Sequence, residues 1–129
     1  MNIVENQEIG SQIRADIYRI PKKNHDAMVQ TQKQFVEAFG KHGCYYQSFQ
    51  LNNTQNPEGF TSMIDIVSAN QDEEEVWLDM ESYTDRKHMD AVISKVMKDE
   101  RALSLMKRFL DLLSPGASPI RAEFSRLTD

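Results

Sequence analysis

Glu75-Val76-Trp77-Leu78-Asp79-Met80-Glu81-Ser82-Tyr83 is the stretch on which the architecture turns. Side chains alternate across a strand, so Val76, Leu78 and Met80 point to one face while Trp77, Asp79, Glu81 and Tyr83 point to the other. The aliphatic face is expected to pack on helices, and the mixed aromatic and acidic face to meet water or a partner. Residues 11–20 repeat the pattern, Ile13, Ala15 and Ile17 alternating with Arg14, Asp16 and Tyr18. Pro21, which has no N–H to give to a ladder, closes that run. Residues 120–127 alternate again, with Ala122 and Phe124 opposite Arg121 and Glu123. Arg14, Asp16, Tyr18, Trp77, Asp79, Glu81, Tyr83, Arg121 and Glu123 therefore share one sheet face and form the candidate cavity lining.

Between these strands the apolar period changes to that of a helix. Asn24 offers an N-cap, and Met28, Gln32, Phe35, Val36 and Phe39 recur at helical spacing until Gly40 and Gly43 stop the run. Residues 44–51 read as a strand and residues 52–59, with Asn56-Pro57, as an exposed loop. Residues 61–68 read as a further strand that forms a meander with residues 75–83. Thr84 or Asp85 caps a second helix with Met89, Val92, Ile93, Val96 and Met97 along one stripe. Asp99 caps a continuation through Leu103, Met106, Phe109, Leu110 and Leu113, as a separate helix or the far arm of one bent helix. Ser114, Pro115, Gly116 and Pro119 end it. The order predicts a ferredoxin-like α+β fold, an antiparallel sheet with helices on one face and an additional hairpin strand.

At 129 residues and 40% hydrophobic content the chain makes one domain, residues 10–129, behind a tail at residues 1–9 that orders only against a partner. A net charge of −5 argues against nucleic acid, and Asp16, Asp79, Glu81 and Glu123 around Tyr18 and Trp77 would repel phosphate. The first ten residues carry neither a leader nor an anchor pattern, and no later run is apolar enough to cross a bilayer. Cys44 is alone, so no internal disulfide forms, which suits a cytoplasmic location. His25, His42 and His88 lack metal-ligand spacing, and the scattered glycines make no phosphate cradle. No cofactor or metal is expected. The methionines are read as core fillers and the acidic residues 72–75 as a solvated turn.

Ile20-Pro21-Lys22-Lys23-Asn24, the segment Phe39 to Gly43, and the run from Glu73 to Met106 with its Glu-Glu-Val and Met-Lys-Asp-Glu-Arg motifs resemble the small bacterial YbaA-like family of unknown function. The likeness implies a dimeric α+β barrel, a homodimer whose two sheets enclose an interior with helices outside. It carries no catalytic residue over to this chain. Residues 114–121 depart from the family's glycine-rich and aromatic pattern before the last strand.

The charged sheet face sets the functional expectation. Buried acids and arginines must pair or shift their pKa, and such a network can serve acid–base chemistry. The leading expectation is a homodimer that binds a small organic molecule in a polar cavity, with cofactor-independent chemistry as an option. The alternative is a non-enzymatic dimer that binds another protein. A lesser alternative is a haem-degrading monooxygenase, because Trp77 followed by His88 is similar in order to a tryptophan and axial histidine of such enzymes. Their first-strand asparagine has no counterpart among Arg14, Asp16 and Tyr18.

Overall fold

Two ten-residue strands, β1 (Gln12–Pro21) and β3 (Glu74–Tyr83), form the centre of an antiparallel sheet in the computed structural model, which describes residues 9–127. Their register sets Gln12 opposite Tyr83, Asp16 opposite Asp79 and Pro21 opposite Glu74. The strand β2 (Tyr45–Gln50) lines the outer edge of β3, and β4 (Ile120–Ser125) the outer edge of β1. The order β2-β3-β1-β4 is that of the ferredoxin-like split βαβ unit, in which β3 lies between β1 and β2. Of the expected tail, residues 1–8 lie outside the described residues.

Helix α1 (His25–Gly40) follows β1 after a single 3-10 turn at Lys22–Asn24. Asn24 does not cap it through its side chain; its amide instead donates to the Leu112 carbonyl at 3.0 Å and ties the start of α1 to the end of the last helix. Residues 61–68 are not a strand. They hold one helical turn, α2 (Met63–Ile66), whose first turn is fixed by Ser62 Oγ accepting from the Ile64 N–H. The turn buries only Ile64 and leaves Ile66 exposed, so no second alternating face was available to join the sheet. Among the described residues the sheet has four strands and no additional hairpin strand.

The second half carries two helices rather than one bent one, α3 (Arg86–Val96) and α4 (Glu100–Leu112). Asp85 caps the first through the His88 N–H, and Asp99 caps the second through the Arg101 and Ala102 N–H groups. A side chain that satisfies the open amides of a new helix start favours a break there over a continuous ladder.

The two sheet faces separate as the alternation requires, but the helices cover the opposite face from the one expected. Tyr18, Trp77, Asp79, Glu81 and Tyr83 are buried on the side of the sheet that α1, α3 and α4 cover, whereas Ile13, Ala15, Ile17, Leu78 and Met80 on the far face stay half-exposed. Of the three aliphatic β3 residues only Val76 is buried. Aromatic rings explain the reversal, since each buries roughly 150–250 Å² and outweighs a leucine or methionine when its polar tip finds a partner. The resulting core has two clusters. One gathers Phe35, Phe39, Tyr46, Tyr83, Met89, Val92 and Leu105; the other gathers Tyr18, Ile20, Met28, Trp77 and Leu113. Phe109 of α4 packs against both.

Candidate small-molecule site

Where the clusters adjoin, the sheet presents two cross-strand rows to α1 and α4. Glu81 and Arg14 stand opposite one another in the first, with Tyr46 and Glu123 on the outer strands. Asp79 and Asp16 stand opposite in the second, flanked by Ser48 and Arg121. Above these rows lies a cavity of about 320 Å³, floored by Arg14, Asp16, Tyr46, Asp79, Glu81 and Arg121. Phe35 and Phe39 of α1, Met106, Phe109 and Leu110 of α4, and Pro119 make its apolar walls.

Two of the three floor carboxylates have arginine partners. Arg14 donates from Nε at 2.9 Å to Glu81 Oε1 and brings Nη2 within 2.8 Å of the same oxygen as an ion pair, and that oxygen also accepts from the Tyr83 hydroxyl. Arg121 grips Asp16 by a two-pronged fork, Nε to Oδ1 at 2.8 Å and Nη2 to Oδ2 at 3.0 Å. Burial pushes the Glu81 carboxyl above its ordinary range, with Arg14 opposing. The hydrogen bond to Asp16 holds the Arg121 guanidinium above its ordinary value.

Asp79 has no cation partner among the described residues. It is 2% exposed and accepts from Tyr18 at 2.7 Å, Tyr46 at 2.7 Å, Ser48 at 2.6 Å and Gln32 at 3.0 Å. Gln32 also donates to the Tyr18 oxygen at 2.9 Å, and Ser48 lies 2.9 Å from Gln32 Oε1. These six hydrogen-bond distances share only five hydrogens, one on each hydroxyl and two on the amide. A sixth hydrogen, on Asp79 itself, completes the set: Asp79 then donates to Ser48, and Ser48 to Gln32. Burial lifts the Asp79 carboxyl to about 6, against the four hydrogen bonds that favour its charge. The surrounding phenols are raised as well, Tyr18 and Tyr46 by burial first and then by the neighbouring Asp79. They remain hydroxyl donors, and Asp79 is the group here that can exchange a proton near neutral pH.

Of the nine residues expected to line a cavity, Arg14, Asp16, Asp79, Glu81 and Arg121 are gathered around this one. Tyr18 and Tyr83 hold Asp79 and Glu81 from the side. Trp77 stands in the second cluster, its ring 5.6 Å from that of His25 and its Nε1 bonded to Glu75. Glu123 is exposed and paired with Arg86 at 2.7 Å. The cavity lies between the sheet and the helices of one chain, not between two sheets. Gln32, Ser48 and the phenylalanines escaped the sequence reading. Gln32 did leave a signal, as the lone amide within the apolar stripe of α1.

Trp77 and His88 do not meet. His88 packs on Tyr83 with ring centres 5.7 Å apart, and Tyr83 lies six residues beyond Trp77, roughly 20 Å along the strand. Among the described residues no group of three or more His, Cys, Asp or Glu side chains could hold a metal ion, and no helix is long and apolar enough to cross a membrane.

Residues 13–111 match a family described as a protein of unknown function, DUF1428. The chain belongs to that family. No curated protein matches it. Among solved structures it is similar to the de novo designed protein Foldit4, with 9% identity, a TM-score of 0.42, and coverage of 90% of this chain and 99% of that one. DUF1428 membership brings no activity with it, so the chemistry rests on the cavity.

Proposed function

We propose that this DUF1428 protein binds a small organic molecule in the cavity between the sheet and helices α1 and α4, and that Asp79 can exchange a proton with it. The observation that carries this reading is the pairing of apolar walls with a floor of convergent ionisable groups, one of them a buried carboxyl with no cation partner among the described residues. Specific small-molecule sites combine these features.

The same reading takes the chain as a YbaA-like homodimer of the dimeric α+β barrel type, working in the reducing cytoplasm. The uncovered face supports the partner: Ile13, Ile17, Phe49, Leu78, Met80 and Phe124 stand half-exposed or exposed on the sheet side away from the helices. An apolar sheet face of this kind marks an association surface.

A thermal-shift screen of a chemically mixed library tests the binding reading, run on the wild type and on Leu110→Trp, which fills the cavity mouth. A ligand present at roughly 100 times its Kd adds about 2.7 kcal/mol and raises Tm by several degrees. The expected hit shifts the wild type and not Leu110→Trp. A library that moves neither protein, or moves both equally, removes the cavity as the binding site.

A further inference from the structure

Both arginines on the cavity floor are only partly used. Arg14 spends Nε and Nη2 on one oxygen of Glu81, and Arg121 spends Nε and Nη2 on Asp16. The Nη1 group of each has no partner among the described residues. A guanidinium carries five N–H donors, so each retains three, two of them on Nη1. Because Asp16 faces Arg121 across the β1–β4 ladder while Arg14 faces Glu123, the two arginines are diagonal neighbours on adjacent strands. Side chains so placed stand roughly 7–8 Å apart at the backbone, close enough for long side chains to share one ligand.

One acceptor is also free. Tyr83 and both Arg14 donors converge on Glu81 Oε1, leaving Oε2 without a hydrogen-bond partner among the described residues, although Glu81 is only 3% exposed. The oxygens of Asp79, by contrast, are each occupied by two hydrogen bonds. The site thus offers six free N–H bonds from two cations, four of them on the Nη1 groups, against one free carboxyl oxygen.

Resting on the cavity-binding reading, we infer that the ligand is a small carboxylic acid with a ring-sized apolar body, its carboxylate held by the Nη1 edges of Arg14 and Arg121, and that Glu81 takes up a proton as it binds. The charge balance requires the proton. Below about pH 6, where Asp79 is neutral, Arg14 and Arg121 offset Glu81 and Asp16, and the floor is balanced. An arriving anion leaves one excess negative charge beside the buried Asp79 and Glu81 carboxyls. A proton on Glu81 Oε2 cancels it and turns the free acceptor into a donor to the ligand carboxylate. The ionisable groups facing Glu81 are Arg14, Asp16, Cys44, Tyr46, Tyr83 and Arg121, and burial already favours its neutral form. Helices α1 and α4 present only Phe35, Phe39, Met106, Phe109 and Leu110 to the cavity, so no helix charge competes. Those rings and aliphatic chains enclose the ligand body. At roughly 30 Å³ per displaced water, 320 Å³ is the room of about ten waters, suited to one ring and a short acidic arm.

The test compares three probes of one shape by titration calorimetry: phenylacetate, its neutral amide phenylacetamide, and the cation phenethylamine. Phenylacetate is expected to bind best, about tenfold or more tighter at about pH 6 than at about pH 8, with a buffer-dependent enthalpy that reports uptake of roughly one proton. Arg121→Gln, at a half-exposed position, should weaken phenylacetate about tenfold and change phenylacetamide by less than about twofold. Glu81→Gln should abolish the proton uptake; should that variant not fold, Arg121→Gln and the buffer series decide alone. Tighter binding of phenylacetamide or phenethylamine, or phenylacetate binding without proton uptake, overturns the inference while leaving the cavity in use. Failure of all three probes overturns the inference, and failure of the mixed library as well removes the cavity-binding reading beneath it.

Discussion

Replacing Asp79 by Asn separates the buried proton from every other source of pH dependence. The Asp79 carboxyl titrates at about 6 in the folded chain against an ordinary value of 3.8, a rise caused by burial. Below about pH 4 the group is protonated both folded and unfolded, so it contributes no slope. Between about pH 4 and pH 6 the folded chain keeps the proton that the unfolded chain releases, and stability falls as pH rises. Above about pH 6 the loss is complete. Two pKa units at 1.36 kcal/mol each put it at about 3 kcal/mol. Asn cannot titrate, and its amide hydrogens disrupt acceptance from Tyr18 or Tyr46, so the variant is the less stable protein at low pH. Its deficit then shrinks by about 3 kcal/mol between about pH 4 and pH 7, a relative shift of roughly 10 °C in Tm. Urea unfolding followed by the fluorescence of Trp77, the only tryptophan, measures both proteins at one fixed concentration. Subtracting the two curves cancels the other carboxylates, among them Glu74 and Asp99, which are held below their ordinary values and act in the opposite sense. A deficit that stays constant across this range would falsify the proton count, because Asp79 would then be ionised throughout.

Three further outcomes follow from single residues. A β-carbon at Gly10 would lie 1.9 Å from the Tyr83 carbonyl oxygen, so Gly10→Ala must push the chain off the end of β3, at a cost of about 2–3 kcal/mol in urea unfolding. The Cys44 thiol is buried and pushed up to about 12, so it should resist iodoacetamide in the native protein at about pH 8 and react fully in denaturant. Leu78→Glu puts a charge in the middle of the uncovered apolar face. Native mass spectrometry should find the wild type at twice the 14.9 kDa chain mass and the variant at one, whereas a monomeric wild type would remove the proposed dimer.

Strand parity was legible because it depends on backbone geometry alone; which face the helices would choose was not. Alternation at Ile13 to Tyr18 and Val76 to Tyr83 separates two sets of side chains, yet either set can lie beneath helices. Counting aliphatic residues favoured Val76, Leu78 and Met80. The fold instead buries Tyr18, Trp77 and Tyr83 and satisfies the polar groups among them internally, Asp79 through Gln32, Ser48 and Tyr46. Those partners come from α1 and β2, at sequence separations of 31 to 47, which no local pattern encodes. The failure at residues 61–68 has a local cause. Ser62 capping a single turn resembles a strand start in composition, and only its hydrogen bond to the Ile64 N–H distinguishes them.

The reversed parity also divides the labour of the sheet. Adjacent β3 residues project to opposite sides, Asp79 into the cavity floor and Met80 onto the uncovered face, so the proposed ligand site and the proposed partner surface share one strand but no side chain. A shared interior between two copies would have joined the two functions, with each partner completing the other's site. Here the cavity is walled by the sheet and by residues of α1 and α4. Separating the copies should therefore leave ligand affinity largely intact, and substitutions at Asp79 or Arg121 should leave subunit number unchanged. If Leu78→Glu abolished binding while its unfolding curve stayed cooperative, the two faces would be coupled through β3, and the cavity could not be complete within a single chain.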